Sequence, residues 1–352
     1  SYINENYLAD EQEIVRKLAA EADPGASTRQ KIQETAAQLV KAVRKNTAND
    51  GGIEAFLKQY DLSSDEGVLL MCIAEALLRI PDADTADRLI ADKITAAKWQ
   101  DHVGTSDSLF VNASTWGLML TGKILTLDEV GTGNPTKMLG RLISRAGEPV
   151  VRTAMRQAMK IMGHQFVMGR NIGEALKRAM KSTDLPYRYS FDMLGESALT
   201  AADAQRYLDN YHAGIKSIGD AHVESADVFS APGISVKLSA LHPRYEFSQE
   251  ERVMAELVPS VLELAKHAKE IGIGLTIDSE EAHRLEMWLN IFERVYRDPA
   301  LNGWDGFGVA LQTYQRRGRD SLRFLIDLAG DVGRRIPVRL VKGAYWDSEV
   351  KW

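Results

Sequence analysis

The chain has 352 residues, 45% hydrophobic and 26% charged, with a formal net charge of −6. That make-up suits a globular protein large enough for two cores, and its acidic balance excludes a chain-wide basic surface for nucleic acid. No run reaches the ~20 apolar residues needed to span a bilayer, and a single cysteine, Cys72, excludes an internal disulfide and any multi-cysteine metal site.

The N-terminus, SYINENYLADEQE, is polar and acidic and has none of the features of a secretory leader, so a cytoplasmic protein is expected. Residues 1–48 read as a helical arm. Ile32, Ala36, Leu39, Val40 and Val43 recur at helical spacing, and the segment Ala20–Ser27 breaks the arm in two. Residues 49–186 read as an all-helical domain. Ser63 and Glu66 have the spacing of a capping box before the apolar run Val68–Leu78, which Pro81 stops. Thr85–Ala97, Leu109–Ile124 and Glu148–Met180 are further helical stretches, the last two separated by the turn-rich Glu129–Pro135. The methionines of the final stretch read as helix core.

The pattern changes near Tyr187. Strand-like segments at Tyr187–Met193, Gly233–Ser239, Gly274–Asp278, Phe307–Gln312 and Val338–Val341 alternate with helical stretches. The first helix begins at Thr200, with Asp203 three residues on. The second begins at Ser248, with Glu251 in the same relation. The third covers Glu280–Arg297 and the fourth Arg319–Asp331. Such alternation predicts βαβ units and a parallel sheet. No GxGxxG follows any strand, which argues against a dinucleotide fold and for a (β/α)-barrel. An eight-stranded barrel takes ~250 residues, whereas residues 187–352 hold five strands. The chain is therefore expected to carry only the N-terminal part of such a barrel.

Polar residues stand at or near the end of each strand: Asp192, Lys237, Asp278, Gln312, then Arg339 and Lys342. In parallel α/β folds chemistry gathers at the C-terminal ends of strands. Arg339 is placed inside Pro337–Val341, a segment that reads as a strand covered on both faces, and a buried guanidinium requires an anion, a dipole or a ligand. Gly343 and Ala344 allow close backbone approach, and Tyr345 and Trp346 offer flat rings to a planar ligand. Three chemistries could use these groups. Lys237 could form a Schiff base with a carbonyl substrate. The cations could hold an anion while Asp278 acts as base. Arg339 and Gln312 could address a flavin, with Tyr345 and Trp346 against it. A structural Lys237–Asp278 ion pair is a fourth reading, and a helical self-association or docking module without catalysis is an alternative of another class.

GISVKLSALHPRY (Gly233–Tyr245), LTIDSEEAHRLE (Leu275–Glu286) and RLVKGAYWDSE (Arg339–Glu349) closely resemble the proline dehydrogenase domain of bacterial proline utilization A proteins. LSSDEGVLLMCIAEALLRIPD, FVNASTWGLMLTGK and FDMLGESALTAADAQRY are similar to the helical region and barrel entry of the same family. The resemblance runs from about Gly51 to Trp352. It implies a (β/α)₈ barrel that uses FAD to oxidise L-proline to 1-pyrroline-5-carboxylate, with hydride passing from proline C5 to flavin N5. Electrons would go on to a quinone through transient contact with a membrane surface, giving a cytoplasmic, peripherally membrane-associated enzyme that is a homo-oligomer at full length.

Carried over residue by residue, the resemblance makes Asp278 and Arg339 catalytic and Lys237, Tyr345 and Asp192 substrate-binding. Ser279, Gln312, Arg339, Lys342, Gly343, Ala344 and Trp346 would hold FAD. The family's later arginine pair and pocket tyrosines, its NAD-using aldehyde dehydrogenase half and its ribbon–helix–helix DNA-binding segment are not expected among these residues. The chain alone is accordingly expected to be inactive and to have no nucleic-acid partner.

Overall fold

The computed structural model describes residues 2–47, 85, 167–181, 187–221 and 227–349. The stretches expected around Cys72, at Ser63–Glu66, Val68–Leu78 and Leu109–Ile124, at Thr85–Ala97 apart from Thr85, and before residue 167 lie outside the described residues. The chain divides into two compact units, one of residues 1–23 and 176–352, the other of residues 24–175.

In the second unit, α2 (Gly25–Thr47) is a long exposed helix. Helix α3 (Ile172–Lys181) crosses the division between the units. It begins after Asn171, whose side chain accepts from the Glu174 N–H at 3.0 Å. Met180 on α3 is exposed, because the helix turns that face to water, so it is not the core methionine that its spacing predicts.

In the first unit the N-terminus forms a 3₁₀ turn (Tyr2–Asn6) that buries Ile3, then α1 (Glu11–Ala22), capped by Asp10 accepting from the Glu13 N–H. The break between α1 and α2 falls inside Ala20–Ser27, as its Pro and Gly dictate. The sheet holds five parallel strands in sequential order: β1 (Ser190–Asp192), β2 (Gly233–Val236), β3 (Gly274–Asp278), β4 (Phe307–Gln312) and β5 (Val338–Val341). Between them run α4 (Ala201–Ala221), α5 (Glu250–Ile271), α6 (Leu285–Tyr296) and α7 (Gly318–Val332); the short α8 (Trp346–Glu349) follows β5. Among the described residues the sheet is open, with β1 and β5 at its edges.

Alternation along β3 shows how the layers form. Leu275 and Ile277 are buried toward the helices, while Gly274, Thr276 and Asp278 line the other face. The helix side is filled by Val253, Leu257, Val261, Leu264, Ala265 and Ala268 of α5, and by an aromatic stack in which Phe292 of α6 lies 4.8 Å from Phe307 of β4. Thr200 and Asp203 form the expected reciprocal cap: the Asp203 N–H donates to Thr200 Oγ1 at 3.1 Å, and the Thr200 N–H donates to Asp203 Oδ2 at 3.0 Å.

Two expectations are corrected. Ser248 does not cap α5; its hydroxyl turns to Glu246, because a 3₁₀ turn (Phe247–Gln249) leads into the helix instead. Strand β5 is not covered on both faces, since Leu340 is 60% exposed, and among the described residues it pairs with β4 alone. Among the described residues no helix is long and apolar enough to cross a membrane.

Candidate functional site

The sheet face turned away from the helices carries a period-two pattern that brings charges together. A hydroxyl residue precedes each charged strand end by two positions: Ser190 before Asp192, Ser235 before Lys237, Thr276 before Asp278. The two members of each pair therefore face the same side. Register sets Asp278 beside Ala310 and Ala310 beside Arg339. Only a methyl group stands between them, and Arg339 reaches across it. One Nη2 donates to Asp278 Oδ1 at 2.7 Å and to Ser235 Oγ at 2.7 Å, and Nη1 lies 3.4 Å from Ser190 Oγ. Lys237 Nζ sits between two carboxylates, 2.8 and 2.9 Å from the oxygens of Asp192 and 3.3 Å from Asp278 Oδ2. The buried Tyr211 hydroxyl accepts from the Lys237 N–H at 3.2 Å and fixes the end of β2. The result is a row of alternating charge: Asp192, Lys237, Asp278, Arg339.

The middle of the row is sheltered and its ends are open. Side-chain exposure is 17% for Lys237 and 18% for Asp278, against 47% for Asp192 and 42% for Arg339. Burial alone would lower the Lys237 ammonium, but hydrogen bonding and attraction from Asp192, then Asp278, outweigh it and hold it above its ordinary value. Burial raises the Asp278 carboxyl, and the attraction of Lys237 and Arg339 offsets only part of that rise. A Schiff-base lysine needs the opposite shift, toward the free amine, so the cluster argues against that chemistry at Lys237.

A second group lies beside the row. Glu280 is buried, and burial pushes its carboxyl up to about 7, although Ser239 donates to it through both its hydroxyl and its N–H, the latter at 3.0 Å. Tyr345 is half-buried: burial, then the charges of Glu280, Glu196 and Glu281, raise its hydroxyl. Gln312, buried at the end of β4, does not point into the charged row. Its amide donates to the carbonyls of Ser279 and Glu280, each at 3.0 Å, and its oxygen accepts from Gln315 at 2.9 Å. Ser279 Oγ donates to the Ala310 carbonyl at 2.6 Å and joins β3 to β4. Lys342 stands outside the row with Nζ 5.8 Å from the Trp346 ring centroid. Gly343 has φ +112°, a conformation that favours glycine, and Ala344 and Trp346 are exposed.

The structure thus joins Asp192, Lys237, Asp278 and Arg339 into one cluster and keeps Lys342, Gly343 and Ala344 on the loop after β5, with Trp346 opening α8. Sequence reading missed Ser190, Ser235, Tyr211 and Glu280. The serines were recoverable from the two-residue offset; Tyr211, in mid-helix, gave no local signal.

Comparison with known proteins places these residues in context. A family model described as "Proline dehydrogenase" matches residues 175–352, one described as "Proline utilization A proline dehydrogenase N-terminal domain" matches residues 1–44, and one described as "DNA-binding domain of Proline dehydrogenase" matches residues 52–166. The last match corrects the expectation of a chain without a nucleic-acid-binding segment: the net acidic charge of the whole chain says nothing about one segment, and this one, Thr85 apart, lies outside the described residues. The bifunctional protein PutA of Salmonella typhimurium is 46% identical over 342 residues, covering 97% of this chain and 26% of the relative. PutA of Rhizobium meliloti is 47% identical over 345 residues, covering 98% of this chain and 28% of the relative. The crystal structure of the D779W mutant of proline utilization A from Bradyrhizobium japonicum is 43% identical, with a TM-score of 0.67 over 98% of this chain and 34% of that one. The chain therefore spans about a quarter of the length of these curated relatives.

Proposed function

We propose, from the premise that this chain belongs to the proline dehydrogenase family in its proline utilization A form, that the charged row at the C-terminal ends of the strands is where the full-length protein oxidises L-proline. The observation that carries the reading is the alternation of Asp192, Lys237, Asp278 and Arg339. An amino acid presents a carboxylate and an amine a few ångströms apart, and a row with both signs and no net charge matches both ends. Lys237 is suited to pair with the substrate carboxylate as a compact point charge. Asp278, with its carboxyl raised by burial, is suited to hold the substrate amine and take its proton.

The residues present fit FAD. Two cations, Arg339 and Lys342, stand with an exposed indole, Trp346, and a backbone opened by Gly343. When bound, FAD would accept the hydride that leaves proline C5. Arg339 would supply a fixed cation to that group, suited to stabilise its reduced form. Loss of that hydride and of the amine proton leaves the cyclic imine, 1-pyrroline-5-carboxylate. In this reading the sheet is the first part of a (β/α)₈ barrel. Reoxidation by a quinone, transient contact with a membrane surface, a cytoplasmic location and oligomer formation belong to the same reading and are supported by the family resemblance alone. The match at residues 52–166 adds DNA as a second partner class, tested by gel shift with duplex DNA.

The test is the visible absorption of the full-length protein before and after anaerobic L-proline. A flavin band that bleaches supports the proposal. A flavin band that proline leaves unchanged removes proline as substrate, and a colourless full-length protein removes the flavin.

A further inference from the structure

Three segments leave the strand ends next to the charged row, and the backbone of one residue ties them together. Ala282 opens a 3₁₀ turn (Ala282–Arg284) that runs straight into α6. The residue before it, Glu281, makes no side-chain cap, so the first N–H of this helical stretch has no local acceptor. The missing acceptor comes from the end of α8: the Ala282 N–H donates to Glu349 Oε1. A carboxylate at that position also opposes the positive end of the helix. The second oxygen of Glu349 accepts from the Tyr314 hydroxyl, in the loop after β4.

The carbonyl of the same residue is held too. Arg317, buried at 4% exposure, donates from Nη2 to Ala282 O. Its Nη1 donates to Asn4 Oδ1 at 3.0 Å, its guanidinium lies 3.9 Å from the Tyr7 ring centroid, and Asn4 Nδ2 donates to Glu286 at 2.7 Å. The N-terminal turn therefore backs the arginine. Gly343 completes the arrangement: a Cβ there would come 2.1 Å from the Tyr314 ring, so glycine lets the β5 loop lie against Tyr314.

We infer that Glu349 and Arg317 are positioning residues that clamp the backbone of Ala282 from its two sides, one at its N–H and one at its carbonyl, and so hold the segments after β3, β4 and β5 as one rigid rim around the site. The rim follows Asp278 at the end of β3, carries Ser279, and includes Lys342 to Tyr345 with Trp346 at the start of α8, so its rigidity sets the mutual placement of the groups proposed to hold substrate and cofactor. This consequence for catalysis rests on the proline dehydrogenase reading; the clamp itself does not.

The experiment uses the full-length protein and two readouts, hydrogen exchange of the segment Asp278–Leu285 and kcat/KM for L-proline. In Glu349→Ala exchange of that segment should accelerate roughly tenfold or more, as expected for loss of a charge-assisted bond. Its kcat/KM should fall on the order of tenfold, mainly through KM. Glu349→Gln keeps an acceptor for the Ala282 N–H and should recover most of both. Arg317→Met tests the carbonyl side of the same residue, and covers the case in which Glu349→Ala does not fold. Unchanged exchange in a folded Glu349→Ala or Arg317→Met protein overturns the clamp. Faster exchange with unchanged kcat/KM overturns its positioning role. Faster exchange in a protein whose wild type proline does not reduce would sustain the clamp and refute the function proposed above.

Discussion

Glu280 ionises at a cost that can be read from stability. Its ordinary carboxyl value is 4.5, and burial raises it to about 7 despite the two donors of Ser239. Between those two values the folded protein keeps a proton that the unfolded chain has released. Stability therefore falls as pH rises across that window, and the loss is complete above about pH 7. A displacement of this size amounts to roughly 3 kcal/mol at ~1.4 kcal/mol per tenfold. Glu280→Gln removes the titration but keeps one acceptor for Ser239. At pH 4.5 it should lie about 1–3 kcal/mol below wild type, because its amide group then faces one Ser239 donor. Urea unfolding of both proteins at pH 4.5, 6 and 8 separates the effects. The stability of the variant relative to wild type should improve by roughly 3 kcal/mol from the lowest to the highest pH. A difference that does not change with pH would refute the reasoning.

Three further outcomes follow from the geometry. Gly343→Ala forces a Cβ onto the Tyr314 ring and strains a backbone at φ +112°, so it should destabilise by about 1–3 kcal/mol and loosen the loop after β5, measured by thermal unfolding and limited proteolysis. Phe292→Ala removes the centre of a stack that includes Trp288, Tyr296 and Phe307, and should lower unfolding free energy by about 3–5 kcal/mol in urea. On α4 and α5, His212 and His267 meet Nδ1 to Nδ1 at 2.9 Å, with Glu263, Glu270 and Lys216 nearby. Burial, then the His212 charge, lowers His267, so the folded state resists its protonation. Stability should fall as pH drops below 6.5, the ordinary value, and His267→Gln should flatten that fall.

Much of the fold could be read locally. Strands Gly274–Asp278 and Phe307–Gln312 have the bounds their alternation and turns predict, since a buried strand between Gly and Asp has few other readings. Thr200–Asp203 and Ser248–Glu251 look alike in sequence, yet only the first forms a cap, because the chain before α5 is diverted into a 3₁₀ turn. The charged row was legible because strand ends carry their register with them, and Asp192, Lys237, Asp278 and Arg339 needed only a parallel sheet to meet. Gln312 shows the limit. Its place at a strand end is visible in sequence, but its amide serves the Ser279 and Glu280 carbonyls, 33 and 32 residues away. The partner of Glu349 is 67 residues distant, and no local pattern marks such a pair.

The central claim is that the cluster around Lys237 receives the substrate. Rapid mixing of full-length wild type and Lys237→Met with L-proline, following the bleaching of bound flavin, tests it directly. Loss of a charge-assisted pair of roughly 1.5–3 kcal/mol predicts that the variant keeps its flavin band but binds proline about ten- to a hundredfold more weakly. A variant that retains flavin and is reduced by proline with wild-type affinity would contradict the account.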